Sequence, residues 1–244
     1  DNIYITGYED GYYGGSPIGN KDLFLAKFDT DGNQVFVNKF GEAGDTVFPT
    51  SIESDSSGNV YVGGYTTANL NGETLNGLID IFVVKFDATG SVLFTRLFGT
   101  SGNMLISGNI AIDTSSNIYV TGYTSYSMDG ITPTGLLDTY LVMYDSAGTR
   151  VSTKMYGVAG AYVQGMAIKA DSVGNVYITG STSAGLDGNS LTGVYDAFLL
   201  KYDSSGVREF ASQFGASGGQ PSSRAIAIDS SDNIFISGNT DRGL

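Results

Sequence analysis

Cysteine and histidine are both absent from the 244 residues. Together the two absences exclude disulfides, thiol nucleophiles, Cys/His zinc sites and every histidine-dependent triad within this chain. Positive charge is scarce as well: 12 Lys and Arg stand against 25 Asp and Glu, for a formal net charge of -13 and a pI near 4.1. Such a surface repels phosphate backbones and anionic lipid, so nucleic acid and membrane surfaces are poor partners, while cations, glycans and proteins stay open. Long apolar runs are missing too. Nothing approaches the roughly 20 residues of a membrane span, so no membrane insertion is expected. Neither a signal sequence nor an initiator Met is present, and the first residue falls inside a repeat, so a segment processed or excised from a longer polypeptide is expected.

What is present is a repeat. NIYITG from Asn2, NVYVGG from Asn59, NIYVTG from Asn117, NVYITG from Asn175 and NIFISG from Asn233 follow one another at steps of 57, 58, 58 and 58 residues. Units of this kind bury their apolar surface against their neighbours, so one unit is not a domain. With 41% hydrophobic and 15% charged residues, the chain can bury a sizeable core. The expectation is a single repeat domain over residues 1–244, with units starting near 2, 59, 117 and 175 and a partial fifth copy from 233.

Each unit reads as four strands. The first alternates isoleucine with small residues, as in AIAID from Ala225. A polar turn leads to the second, whose β-branched and aromatic residues suit a half-buried pleated surface. A Gly-rich loop of about fifteen residues follows, with a turn-forming Asn/Asp-Gly pair at its centre: LNGETLNG from Leu70, MDGITPTG from Met128 and LDGNSLTG from Leu186. The first copy departs from this, reading EDGYYGGSPIGN from Glu9. The third strand reads DLFLAKFD from Asp22, DIFVVKFD from Asp80, DTYLVMYD from Asp138 and DAFLLKYD from Asp196, with its aromatics on one face. After a D-x-x-G turn the fourth strand ends on an aromatic-glycine pair, as at Phe40-Gly41 and Phe98-Gly99.

Short antiparallel strands in fours, with no helical periodicity, predict an all-β fold: a β-propeller built from about four 58-residue, four-stranded blades. The ordered blocks AIAID-x-x-x-N-I-Y-x-x-G, LDG, D-x-F-L-x-K-Y-D-x-x-G and F-G resemble the bacterial beta-propeller repeat family called SBBP. Without the middle loop the blade is also similar to the NHL type. The resemblance implies an extracellular or cell-surface setting, since the family is associated with large exported or surface proteins. It implies no catalytic residue, because the repeat pattern defines none. The family often places tryptophan in the fourth strand where this chain has Phe36, Phe94, Ser152 and Phe210, and Ser152 is expected to weaken one blade contact.

Up-and-down topology puts the long loops on one rim and the tight turns on the other, so binding is expected on the long-loop face. Tyr12, Tyr13, Tyr126, Tyr162 and Tyr195 lie in or beside those loops and are candidates for stacking on sugars or packing on a partner; the alternative is that they cover the blade ends. Tyr8, Tyr65 and Tyr123 recur just after the second strand and read as structural. On the turn rim, two recurring aspartate sets fit turn formation without a ligand. One copy, Asp29-Thr30-Asp31-Gly32-Asn33, has side-chain oxygens at alternate positions, as calcium loops do, though without the terminal Glu. Asp29, Asp31 and Asn33 are therefore a candidate calcium site, set against a hairpin turn; no other cofactor is expected. A glycosidase would need paired carboxylates, and Glu53 is the one acidic residue inside the first strands, with Ala111, Lys169 and Ala227 at the equivalent positions.

Two functions follow as expectations: a non-catalytic module for scaffolding, adhesion or filament assembly, or a carbohydrate-binding or carbohydrate-active propeller using the long-loop face. Counting gives seventeen strands, one more than four blades need. The preferred expectation is that residues 224–229 pair with the N-terminal unit and close a ring, with Glu53 and Lys169 on opposite blades. The other is an open arc whose strand edges pair with further chains.

Overall fold

The computed structural model describes residues 2–11, 13 and 16–243, and of Ile106 the backbone alone. Among the described residues every regular element is a β-strand, and the strands number seventeen, as the repeat predicts. They fall into two compact units, residues 1–108 and 109–244, the boundary lying inside a strand.

In the first unit, β1 (Ile3–Glu9), β2 (Asp22–Phe28) and β3 (Gln34–Phe40) form a three-stranded antiparallel sheet. β4 (Val47–Ser54), β5 (Val60–Thr66), β6 (Asp80–Phe86) and β7 (Val92–Phe98) form a four-stranded one in simple sequence order. The next two sheets repeat this meander: β8 (Ile106–Ile112), β9 (Ile118–Thr124), β10 (Asp138–Tyr144) and β11 (Arg150–Tyr156), then β12 (Val163–Ala170), β13 (Val176–Thr182), β14 (Asp196–Tyr202) and β15 (Arg208–Phe214). β16 (Ser222–Ile228) and β17 (Ile234–Asn239) make a separate two-stranded sheet.

This last pairing corrects the expected strand closure. Residues 224–229 do not complete the N-terminal sheet, which keeps three strands; β16 takes its sequence neighbour β17 instead. The physical reason is local. Asp229 Oδ1 accepts the N–H groups of Ser231 and Asn233, at 2.9 Å each, and nucleates the hairpin. A tight turn also closes a far shorter loop than a pairing across the whole chain would. Glu53 lies in β4 of the first unit and Lys169 in β12 of the second.

Packing between sheets follows from alternation. In the first unit, Phe82, Val84 and Phe86 on one face of β6 share a core with Leu23 and Leu25 of β2, and all five are at most 2% exposed. In the second unit, Phe198, Leu200 and Tyr202 of β14 share a core with Leu141 and Met143 of β10. Within each unit the aromatic face of the later third strand thus packs on the aliphatic face of the earlier one, which places the core between sheets. Ser152 lines an open hollow with Asp129, Ile131, Arg150, Val151 and Thr153. Its cross-strand partner is Met143, where the other blades have Lys27, Lys85 and Lys201 opposite Phe36, Phe94 and Phe210. Met143 is 6% exposed, and the Ser152 hydroxyl donates to its Sδ at 3.3 Å. That sulfur stands close against the Gly206 turn, as the Phe36 ring stands against the Gly90 turn.

Candidate interaction surfaces

The rim geometry rests on a group whose role is not evident from composition. The aspartate that opens each third strand (Asp22, Asp80, Asp138, Asp196) is 0–1% exposed. Asp80 Oδ2 accepts the N–H of Asn76 and Oδ1 that of Gly77, both at 2.8 Å. Asp138 does the same for Thr134 and Gly135, at 2.7 Å each, and Asp196 for Thr192 and Gly193, at 2.9 and 2.8 Å. Asp22 holds Ile18 and Gly19, at 2.6 and 2.7 Å. A buried carboxylate is tolerated because donors saturate it. The recurring aromatic-glycine pair is explained as well: a Cβ at Gly41, Gly99, Gly157 or Gly215 would overlap this carboxylate.

The residue just before three of the four clamps then bridges to the segment that leads into the next sheet. Lys21 bridges Thr46, Ile79 bridges Met104 and Leu137 bridges Tyr162 as isolated parallel pairs. The centres of the long loops are structured too. Asn71-Gly72, Asp129-Gly130 and Asp187-Gly188 all have positive φ, at 50° for the first residue of each pair and 79–85° for the glycine, the geometry of a type I′ hairpin turn. Leu70, Met128 and Leu186 anchor these loops at 0–3% exposure. Asp129 accepts from Arg150 at 2.7 Å, and Asp187 accepts from Tyr156 Oη at 3.0 Å and from Arg208. Burial and then the Asp187 carboxylate push the Tyr156 hydroxyl up to about 12. The long loop is therefore a small hairpin docked on its own outer strand.

The candidate tyrosines occupy this rim separately. Tyr13 is 45% exposed, its ring edge-on to Phe24 at 5.2 Å and its hydroxyl 3.2 Å from Gln34 Oε1. Tyr12 lies outside the described residues. Tyr126 and Tyr162 are exposed and Tyr195 is half-buried, and among the described residues none of the three stacks on another aromatic ring. What it does bring together is a different set of rings. Tyr8, Phe48 and Tyr65, from β1, β4 and β5, form a row: Tyr8 to Phe48 at 4.5 Å, Phe48 to Tyr65 stacked at 5.0 Å and 16°. Lys21 Nζ stands 4.5 Å from the Tyr8 ring centroid and 5.7 Å from that of Phe48, within cation-π reach. Burial, and secondarily Tyr8, raise the Tyr65 hydroxyl above its ordinary value.

On the turn rim the aspartates are occupied by their own turns. Asp55, Asp113 and Asp171 each accept from two backbone N–H groups, from the amide of the following Asn and from a tyrosine hydroxyl, as in Asn59 at 2.8 Å and Tyr61 at 3.0 Å around Asp55. Burial opposes ionisation of Asp55 and Asp171, but the Asn59 or Asn175 amide and the backbone donors outweigh it and hold both below the usual carboxylate value. In the candidate calcium loop, Asp29 receives the Asn33 amide at 3.0 Å and the N–H groups of Asp31 and Asn33 at 3.0 and 2.8 Å. The three residues come together as a hydrogen-bonded turn with Asp31 and Asn33 exposed. Among the described residues no group of three or more His, Cys, Asp or Glu is arranged to hold a metal.

Stacked four-stranded meanders with loops clamped to one rim define a β-propeller repeat protein. The SBBP model, a beta-propeller repeat, matches residues 39–71, 93–125, 153–187 and 209–243, so the chain belongs to that family. An uncharacterized WD repeat-containing protein of Acanthamoeba polyphaga mimivirus is 25% identical over 98% of this chain, which spans 23% of that protein's length. Two solved structures are similar, each with a TM-score of 0.48. One is a protein of unknown function from Bacteroides caccae, at 11% identity, covering 87% of this chain and 60% of that one. The other is a gluconolactonase from Xanthomonas campestris, at 14% identity, covering 89% and 65%.

Proposed function

We propose that this chain is a non-catalytic module of an extracellular or cell-surface protein, serving scaffolding, adhesion or filament assembly by self-association through strand edges. The supporting observation is the exposure of two edges. Among the described residues every sheet has two single-sided strands, and β1 and β17 are the two whose counterparts β5, β9 and β13 pair on both sides. Ile3 and Ile5 of β1 are 50% and 47% exposed and Phe235 of β17 is 58% exposed, where the counterparts Val60, Val62 and Tyr61 are fully buried. Open apolar edges template pairing with other strands, and a lysine on them blocks it. Sedimentation equilibrium of the whole chain over a concentration series tests this: the expected result is an oligomer that an Ile5→Lys, Phe235→Lys variant dissolves. A monomer at every concentration overturns the reading.

A second reading is glycan binding at the Tyr8, Phe48 and Tyr65 row, favoured by its stacked geometry beside Lys21, since aromatic faces with a polar rim suit sugars. A glycan array compared between the chain and its Phe48→Gln variant checks it. Calcium at Asp29, Asp31 and Asn33 predicts a melting temperature that rises with added calcium and falls with chelator; no shift leaves the hairpin turn as their whole role.

A further inference from the structure

The third complete blade departs from the others on its outer strand. Where β3, β7 and β15 carry Phe36, Phe94 and Phe210, β11 carries Ser152. The hollow that Ser152 helps to line measures about 350 Å³; Asp129 and Ile131 of the long loop form one wall, and Arg150, Val151 and Thr153 of β11 the other. That volume falls within the range of small-molecule sites, roughly 300–1,000 Å³.

Its chemistry is that of a charge pair with open valences. Asp129 Oδ1 accepts from Arg150 Nη2 at 2.7 Å and Oδ2 accepts from the Thr153 hydroxyl, so the carboxylate is held in place and its charge is balanced. Further lone pairs remain on both oxygens, and Nε and Nη1 of Arg150 have no hydrogen-bond partner among the described residues. The next blade shows a covered version of the same pair. There Arg208 pairs with Asp187 but lies 4.2 Å from the centroid of the Tyr156 ring, and the Tyr156 hydroxyl donates to Asp187 as well. No ring covers Arg150 among the described residues, and the side chains of Arg150 and Asp129 are 41% and 37% exposed against 32% and 28% for Arg208 and Asp187.

The pairing decides what fits. An anion drawn to Arg150 meets the Asp129 carboxylate beside it, on a chain of net charge -13, and a cation drawn to Asp129 meets the guanidinium. Two adjacent uncharged hydroxyls meet neither penalty: one donates to Asp129 while its neighbour accepts from Arg150. Ile131 and Val151, 36% and 64% exposed, offer apolar surface to the C–H face of the same ring. We infer that this hollow is a subsite for one pyranose residue of a neutral glycan, gripped through a vicinal diol. It lies in the second unit and shares no residue with the Tyr8, Phe48 and Tyr65 row, so neither site rests on the other.

Amide-resolved NMR titration of the whole chain with the methyl α-glycosides of glucose, mannose and galactose tests this, with sodium acetate as the anion probe. At least one glycoside is expected to give saturable shifts at residues 129–131 and 150–153, in the millimolar range suited to a single open subsite, and acetate none there. Arg150→Val and Asp129→Asn copy Val92 and Asn71 of the preceding blade, and each is expected to weaken that binding at least about tenfold, the loss of one charge-assisted hydrogen bond. Thermal melts check that each variant is folded; should one fail to fold, the other decides. Absence of saturation with all three glycosides, saturation by acetate alone, or binding indifferent to a folded variant overturns the inference. Shifts confined to Tyr8, Phe48 and Tyr65 overturn it too, and leave the aromatic row as the glycan site.

Discussion

The two units share their supporting groups and differ at the rim. Each holds its long loops with buried aspartates, Asp22 and Asp80 in one, Asp138 and Asp196 in the other. Each also seats third-strand aromatics between sheets. At the loop rim, however, the first unit pairs Phe48 with Tyr65; the second keeps the tyrosine as Tyr123 of β9, but its equivalent pairs are Gln164 and Ser181 on β12 and β13 and Ser222 and Asn239 on β16 and β17. The lesson is that the clamp fixes backbone position independently of the rim side chains. Rim identity can therefore change without disturbing the fold, and a recognition surface can belong to one unit alone.

The comparison breaks first if the shared core is not shared. Phe82→Ala and Phe198→Ala remove fully buried rings, and each is expected to cost about 3–5 kcal/mol in urea unfolding; a cost below about 1 kcal/mol for either one ends the equivalence. Next come the clamps. Asp80→Ala and Asp196→Ala each leave two loop N–H groups without their acceptor, an expected loss of about 2–4 kcal/mol, similar in both units.

Acid acts on both units together. The folded values of Asp29, Asp55, Asp87, Asp171, Asp203 and Asp229 all lie below the ordinary 3.8. The stability these groups contribute is present above the unfolded value and is lost as pH falls through the folded ones. Urea midpoints should therefore be level above about pH 5 and drop below about pH 4; a midpoint that rises on acidification contradicts the turn geometry. At the rim, Tyr65→Ser, which copies Ser181, is expected to cost no more than about 1.5 kcal/mol while lowering any glycan retention seen on an array. The smallest effect is a gain. Ser116 has φ 62° where Gly58 and Gly174 stand in the equivalent turns, so Ser116→Gly should raise stability by about 0.5–1 kcal/mol in the same melts.

Much of the fold was legible because its signals are local. The 58-residue period, the hairpin turns and the alternation of β6 and β14 can all be read within a few residues of each other. The clamp could not be read that way. An aspartate beside a loop reads as an exposed turn former, and only the burial of Asp80 beside Gly99 shows that it faces inward; the sole signal was its recurrence in step with the aromatic-glycine pair. The Tyr8, Phe48 and Tyr65 row was hidden because three strands supply it. Strand counting alone does not predict the β16–β17 pairing because it ignores how strongly the Asp229 turn favours β17.

The polar satisfaction of the clamp and turn carboxylates is short-range: Asp80 serves residues three and four positions before it, Asp55 residues two to six after it. Between blades the contact is mostly apolar, with a few hydrogen bonds such as those from Asn38 to the Gly90 carbonyl and from Ser172 to Asp232. A tandem duplication would therefore deliver a copy whose clamp and turn carboxylates already have their donors and whose main remaining need is a neighbouring face to lie against. Genes encoding such chains can lengthen or shorten by whole repeats without compensating changes elsewhere, and the near-constant 58-residue step is the mark that such a history would leave.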